Sequence, residues 1–151
     1  MYLAEAIKEK DFIEKSIIQL CDRIMDLSVT TDDVDVKLNR ELVKQKVKDL
    51  DELYKKSQRY SIIIDRAKVV SKIKLNEDEF SIADAENILE SMRSKLYFFN
   101  SIKQYIEKYN LDSGAFVCID FEDLYVKIEG IMSDIRAIEN SIERTLWNIE
   151  V

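Results

Sequence analysis

The chain has 151 residues, a formal net charge of −7, 46% apolar and 35% charged residues, and neither histidine nor proline. It is long enough to bury a core, too apolar for a disordered segment and too charged for a membrane protein. The missing histidines remove His-based metal sites and Ser-His-Asp or Cys-His catalysis. No run approaches the ~20 apolar residues of a transmembrane helix.

Only two glycines occur. Gly costs a helix interior about 1 kcal/mol and Pro about 3 kcal/mol relative to Ala, so their scarcity favours long unbroken helices. Met1 to Lys10 is amphipathic and carries Glu5 and Glu9, which is not the pattern of a secretory signal. The two cysteines, Cys21 and Cys118, lack metal-like spacing and read as reduced thiols of a cytoplasmic protein.

In chain order, Leu3, Ala6, Ile13, Ile17, Leu20, Ile24 and Leu27 repeat at alternating steps of three and four, interrupted only by Lys10. They predict a helix over 3–28. The polar stretch Ser28 to Asp35 breaks the pattern and supplies Thr and Asp as N-caps. A second helix is predicted over 36–72, on a stripe of Val43, Val47, Leu50, Tyr54 and Ile64 softened by Ser57 and Ser61. At ~1.5 Å per residue it would be roughly 55 Å long.

A third helix is predicted over 81–110. Ser81 precedes Asp84 as in a capping box, and Ile82, Ala85, Leu89, Met92, Leu96, Phe99 and Ile106 form its seam, broken at Lys103. Asn110 to Gly114 ends it. Val117-Cys118-Ile119 is a short β-prone run leading into a fourth helix over 120–149. There Asp120 is the N-cap with Asp123 in the reciprocal position, and Ile119 and Leu124 occupy the sites of a hydrophobic staple. Leu124, Ile128, Ile131, Ile135, Ile138, Ile142 and Ile149 carry the seam onward.

Seams of this spacing pack helices at shallow angles, and short connections favour antiparallel neighbours. The expected fold is all-α: one domain over 1–151, an elongated antiparallel bundle of four long helices with coiled-coil-like seams. Ile7, Ile18, Met25, Ile88 and Ile102 lie outside the seams. They require a wide core or a second subunit, and a homo-oligomer is the favoured expectation.

Charge is unevenly distributed. Val36 to Lys74 holds twelve basic and five acidic residues, net +7, whereas Asn76 to Asp123 holds eleven acidic and four basic, net −7. The basic helix is expected to pair with acidic helices inside the bundle or across subunits. An exposed stripe binding nucleic acid is the sharper alternative, disfavoured by a pI near 4.8.

Carboxylates on facing bundle helices hold metals through Glu-x-x-His motifs, which cannot exist here. An all-carboxylate Mg²⁺ or Ca²⁺ site is chemically open to such a chain, but no spacing singles one out. Asp32-Asp33-Val34-Asp35 lacks the glycine and terminal glutamate of an EF-hand loop and reads as a solvated, capping linker. No catalytic pair, metal or cofactor is predicted, and the protein is not expected to be an enzyme.

Four short segments carry a family resemblance. They are Leu3-Ala4-Glu5-Ala6-Ile7, Ile64-Asp65-Arg66-Ala67-Lys68, Arg93-Ser94-Lys95-Leu96 and Ile142-Glu143-Arg144-Thr145-Leu146-Trp147. Taken in order, the chain resembles a small bacterial family of unknown function sometimes labelled septicolysin. The resemblance implies an all-helical, oligomeric protein without established activity. The family's asparagines are replaced by Asp65, Lys68 and Leu146 here.

The polar residues Asp65, Lys68 and Arg93 interrupt an otherwise apolar pattern, and Trp147 closes the last helix. They are read either as an ion-paired packing device or as a site where Lys68 and Arg93 hold a small anionic ligand against Trp147. The expected function is a self-associating scaffold or binding module. A ligand-sequestering oligomer with a nucleotide- or phosphate-binding pocket near Lys68 and Arg93 ranks second, and a nucleic-acid-associated protein using the second helix third.

Overall fold

Four helices and one hairpin follow each other as α1 (Leu3–Ser28), α2 (Val36–Val70), β1 (Lys72–Leu75), β2 (Asp78–Ser81), α3 (Ile82–Tyr109) and α4 (Phe121–Leu146). The structure is a computed structural model that describes residues 1–109 and 116–151. The predicted helix end at Asn110 to Gly114 lies outside the described residues. No helix among the described residues is long and apolar enough to cross a membrane.

The predicted helices are present, with three corrections. The second ends at Val70 rather than 72, and the residues after it form an antiparallel hairpin absent from the expected all-α bundle. Beyond Ala67 the next seam positions are Ser71 and Lys74, so no apolar side chain prolongs the stripe. Lys72-Ile73-Lys74-Leu75 instead alternates with the period of two that suits a strand. The third helix begins at Ile82 rather than 81, because Ser81 is its cap and the last residue of β2. The fourth runs from Phe121 to Leu146 rather than over 120–149, Asp120 being its cap. Beyond Leu146 the chain finds other backbone partners: the Leu3 N–H donates to the Ile149 carbonyl at 2.7 Å, and Tyr2 bridges Glu150.

Local chemistry accounts for the helix starts. At α3 the Ser81 hydroxyl accepts from the Asp84 N–H at 3.0 Å and donates to the Asp84 carboxylate at 2.7 Å. Asp120 Oδ1 accepts from the N–H groups of Glu122 and Asp123 at the start of α4. In the linker before α2, Asp32 accepts the Val34 N–H, and the Asp35 carbonyl takes the first helical bond from Asn39. The bonds to the N–H groups of Asp84, Glu122 and Asp123 satisfy donors that open a helix and have no partner within it.

The chain divides into two compact units: residues Met1–Ala67 with Trp147–Val151, and residues Lys68–Leu146. In the first, the protected positions of α1 recur as Leu3, Ala6, Lys10, Ile13, Ile17, Leu20, Ile24 and Leu27. Those of α2 keep the same rhythm from Val36 to Ala67, through Val43, Leu50, Ser57 and Ile64 at seven-residue spacing. Lys10, the interruption in the first seam, holds its stem along the stripe and pairs with Glu14 at 3.2 Å. The clasp of Met1, Tyr2 and Leu3 against residues 149–151 joins the two ends of the chain.

In the second unit α3 and α4 pack against each other. Arg93 reaches Glu139, and fourteen residues further along α3 Glu107 meets Tyr125, fourteen residues earlier in α4. Progress along one helix is retreat along the other, so the pair is antiparallel. Its core includes Ile106, Leu124 and Ile128, flanked by Leu96, Phe99, Val117 and Phe121. Lys103 sits at a seam position with its ammonium 4.8 Å from the Tyr125 ring centroid. Cys21 is half-buried, Cys118 is exposed, and both are free thiols.

Gly130 lies inside α4, and a Cβ added there would meet nothing within 4 Å. Gly130→Ala is therefore expected to raise stability by about 1 kcal/mol through helix propensity. Urea denaturation followed by far-UV circular dichroism measures it, and an unchanged or lower midpoint would contradict the open space at that position.

Candidate functional site

The hairpin builds a concavity in the second unit. Its register pairs Ile73 with Phe80 and Leu75 with Asp78, and directly opposed residues share one face of a sheet. That face therefore carries Ile73, Leu75, Phe80 and one carboxylate, Asp78. Asn76 turns the chain between the strands at φ 58, a left-handed conformation that Asn tolerates better than most residues. Ile73 is buried, and both strands pack on α3 while β1 also packs on α4. The Ile82 N–H closes the neck of the hairpin on the Ser71 carbonyl at 3.2 Å.

Between the hairpin and the two helices lies a cleft of about 360 Å³. Leu75, Phe80, Ile88, Met92 and Ile138 form its half-buried apolar floor, and Asp78, Asp134 and Lys74 stand exposed at its mouth. An apolar floor with a few charged groups at the rim is the composition of a binding cleft. Here the carboxylates outnumber the ammonium, and elsewhere on the hairpin the exposed Glu77 and Glu79 outnumber Lys72. The arrangement suits an amphipathic cation.

Beside this cleft, α3 carries a row of charges. Lys68 pairs with Glu86 at 2.7 Å, and Arg93 pairs with Glu139 and Glu90 at 2.8 and 2.6 Å. Glu86 and Glu90 are four residues apart, hence on one face of α3. The Glu139 and Glu90 carboxylates hold the Arg93 proton more firmly than usual, through hydrogen bonds that outweigh its slight desolvation. These side chains are partly to largely exposed, so solvent screens the pairs and they add little to stability. They do, however, neutralise both cations that the sequence offers to an anionic ligand.

Of the four residues singled out in the sequence, Lys68 and Arg93 lie along this α3 face. Asp65 is exposed on α2 in the first unit. Trp147 also belongs to the first unit, where the Lys8 ammonium stands 4.6 Å from its ring centroid, a cation–π contact of about 0.5–1 kcal/mol at an exposed site. Lys68 and Arg93 belong to the second unit. The cleft residues Asp78, Phe80 and Asp134 escaped the sequence reading. The period-two alternation of residues 72–75 followed by Asn76 was the signal that could have located the hairpin and, with it, Asp78.

Farther along α3, Phe98, Ile102 and Tyr105 recur at helical spacing on one exposed stripe, at 62%, 38% and 64% exposure. Ile102 and Tyr105 line a second, more apolar depression with Phe116 and Ile119. Ile18 and Met25 are likewise exposed on α1, whereas Ile7 and Ile88, which also lie outside the seams, are half-buried.

The chain matches no protein-family model, and no curated protein matches it; the septicolysin resemblance therefore finds no support. A solved structure, that of a functionally unknown conserved protein from Corynebacterium diphtheriae, is similar to it at 16% identity with a TM-score of 0.80. The likeness covers 100% of this chain and 98% of that one. It shows the fold alone.

Proposed function

We propose that this protein is a non-enzymatic, self-associating helical protein that acts as a scaffold or binding module. The observation that carries the reading is the exposed stripe of Phe98, Ile102 and Tyr105 on α3. Soluble monomers rarely leave contiguous apolar surface of this kind facing water, and where it occurs it marks an interaction site. The protected stripes of α1 and α2 act in this reading as a coiled-coil seam that holds the first unit together.

The ligand-sequestering alternative has less support, because Lys68 and Arg93 are already paired with glutamates. A nucleic-acid role would use the exposed bases of α2. Between Lys37 and Arg59, however, eight basic residues are interleaved with four acidic ones, which interrupts a phosphate-binding stripe.

Size-exclusion chromatography with light scattering tests the reading. A discrete oligomer is expected for the native chain. The double variant Phe98→Ser, Tyr105→Ser is expected to dissociate at least about tenfold more readily while keeping its helical circular dichroism, since removing two large apolar anchors costs more than about 1.4 kcal/mol of association. A stable monomer of the native chain at high concentration would overturn the reading.

A further inference from the structure

Helix α2 presents a cationic, amphipathic face that is exposed among the described residues. Arg40, Val47 and Tyr54 recur at seven-residue spacing on one flank of its protected stripe, and Val47 and Tyr54 are 41% and 49% exposed. Lys37 and Lys44 lie beside that row on the helical wheel, with one acid, Asp51, continuing their line. From Lys37 to Arg59, only Lys55 has an ion-pair partner among the described residues, and that partner is Glu52 on its own helix.

The hairpin cleft presents the reverse chemistry. Its floor of Phe80, Ile88 and Met92 is apolar and its mouth carries Asp78 and Asp134. Neither carboxylate has an ion-pair partner among the described residues. A helix whose exposed face alternates bases with Val47 and Tyr54 satisfies both halves of that surface. The apolar side chains cover the floor and the ammonium groups meet the carboxylates at the rim, an electrostatic match that also selects the partner and its register.

The geometry points to α2 of a second copy of this chain as the occupant of the hairpin cleft, so that self-association joins the basic helix of one copy to the acidic cleft of another. The inference rests on the self-association proposed above and adds to it a second contact, separate from the stripe of Phe98, Ile102 and Tyr105. The two surfaces are different patches of the same molecule. Their union is therefore made twice in a two-fold dimer or once per subunit in a closed ring. Because the contact is between exposed charges around an apolar centre, it weakens as salt screens the rim.

Carbodiimide cross-linking of an equal mixture of isotopically light and heavy full-length protein tests this. Isotopically mixed peptides joining Lys44, Lys48 or Lys55 to Asp78, Glu79 or Asp134 are expected. In light scattering, Asp78→Lys with Asp134→Lys should weaken association about tenfold, a loss typical of disrupted interfacial charge pairs. Lys44→Glu with Lys48→Glu in the same chain should restore it. An oligomer indifferent to these substitutions, with mixed cross-links elsewhere, overturns the inference and leaves self-association standing. Links from α2 to the cleft found only within single copies overturn it as well. So does stabilisation of the native chain by spermine, lost in the Asp78→Lys, Asp134→Lys variant and without mixed links, which would assign the cleft to a small polyamine. A native chain that is monomeric throughout overturns both proposals.

Discussion

Replacing Ile82 by alanine is expected to destabilise the protein by about 2–5 kcal/mol, the cost of truncating a large side chain in a packed site. Ile82 is fully buried at 0% exposure and opens α3 immediately after the Ser81 cap. Its N–H also closes the hairpin neck on Ser71. The substitution keeps that N–H and the cap, so the loss should come from the cavity alone. Ile82→Val, which removes one methylene, should cost only about 0.5–1.5 kcal/mol. Urea denaturation followed at 222 nm measures both. If the two variants were equally and mildly affected, the tight burial at this junction would be wrong.

Leu3→Ala is expected to have a comparable effect, about 2–5 kcal/mol, in the other unit. Leu3 is, with Ile82, a large side chain at 0% exposure among the described residues, and its backbone N–H donates to the Ile149 carbonyl. The chain's single tryptophan, Trp147, stands two residues before that carbonyl with Lys8 over its ring. Tryptophan fluorescence therefore reports on this clasp directly. The Leu3→Ala variant should show an earlier fluorescence transition in urea. A native-like fluorescence midpoint would mean that the side chain does not hold the ends of the chain together.

Both residues sit where local and long-range information meet. That Leu3 and Ile82 belong to helix seams is evident from their spacing. That they are the two large side chains sealed most completely from water among the described residues is not, because burial depends on what arrives from elsewhere in the chain. The same division runs through the candidate site. Ser81 and Asp120 were readable as caps because each bonds a backbone group two or three residues away. Lys68 was readable as a polar interruption, but not its partner Glu86, since eleven acids in the following stretch were available to it. Arg93 likewise takes Glu139, forty-six residues distant, because α4 runs back along α3.

The hairpin is the largest departure from expectation. Four residues of alternation are a weak signal beside a helical pattern of thirty-five residues, and two such strands are marginal without a surface to pack on. The antiparallel α3 and α4 pair supplies that surface by receiving Ile73. With the hairpin come Asp78 and Phe80, and so the cleft itself.

The sequence by itself determined the helices of this protein. The scarcity of helix breakers, the three–four spacing of apolar residues and the caps all act within a few residues of one another, where the chain needs no partner to express its preference. Only the tertiary structure decided the hairpin, the clasp of the two termini, the glutamates chosen by Lys68 and Arg93, and the acidic cleft. Each of these depends on groups that are far apart in sequence and gain their free energy only on meeting: burial of Ile73, a backbone bond from Leu3 to Ile149, a carboxylate beside a guanidinium. The basic face of α2 belongs to the same class, since composition supplies its charge and only the folded chain leaves most of its cations without an ion-pair partner among the described residues.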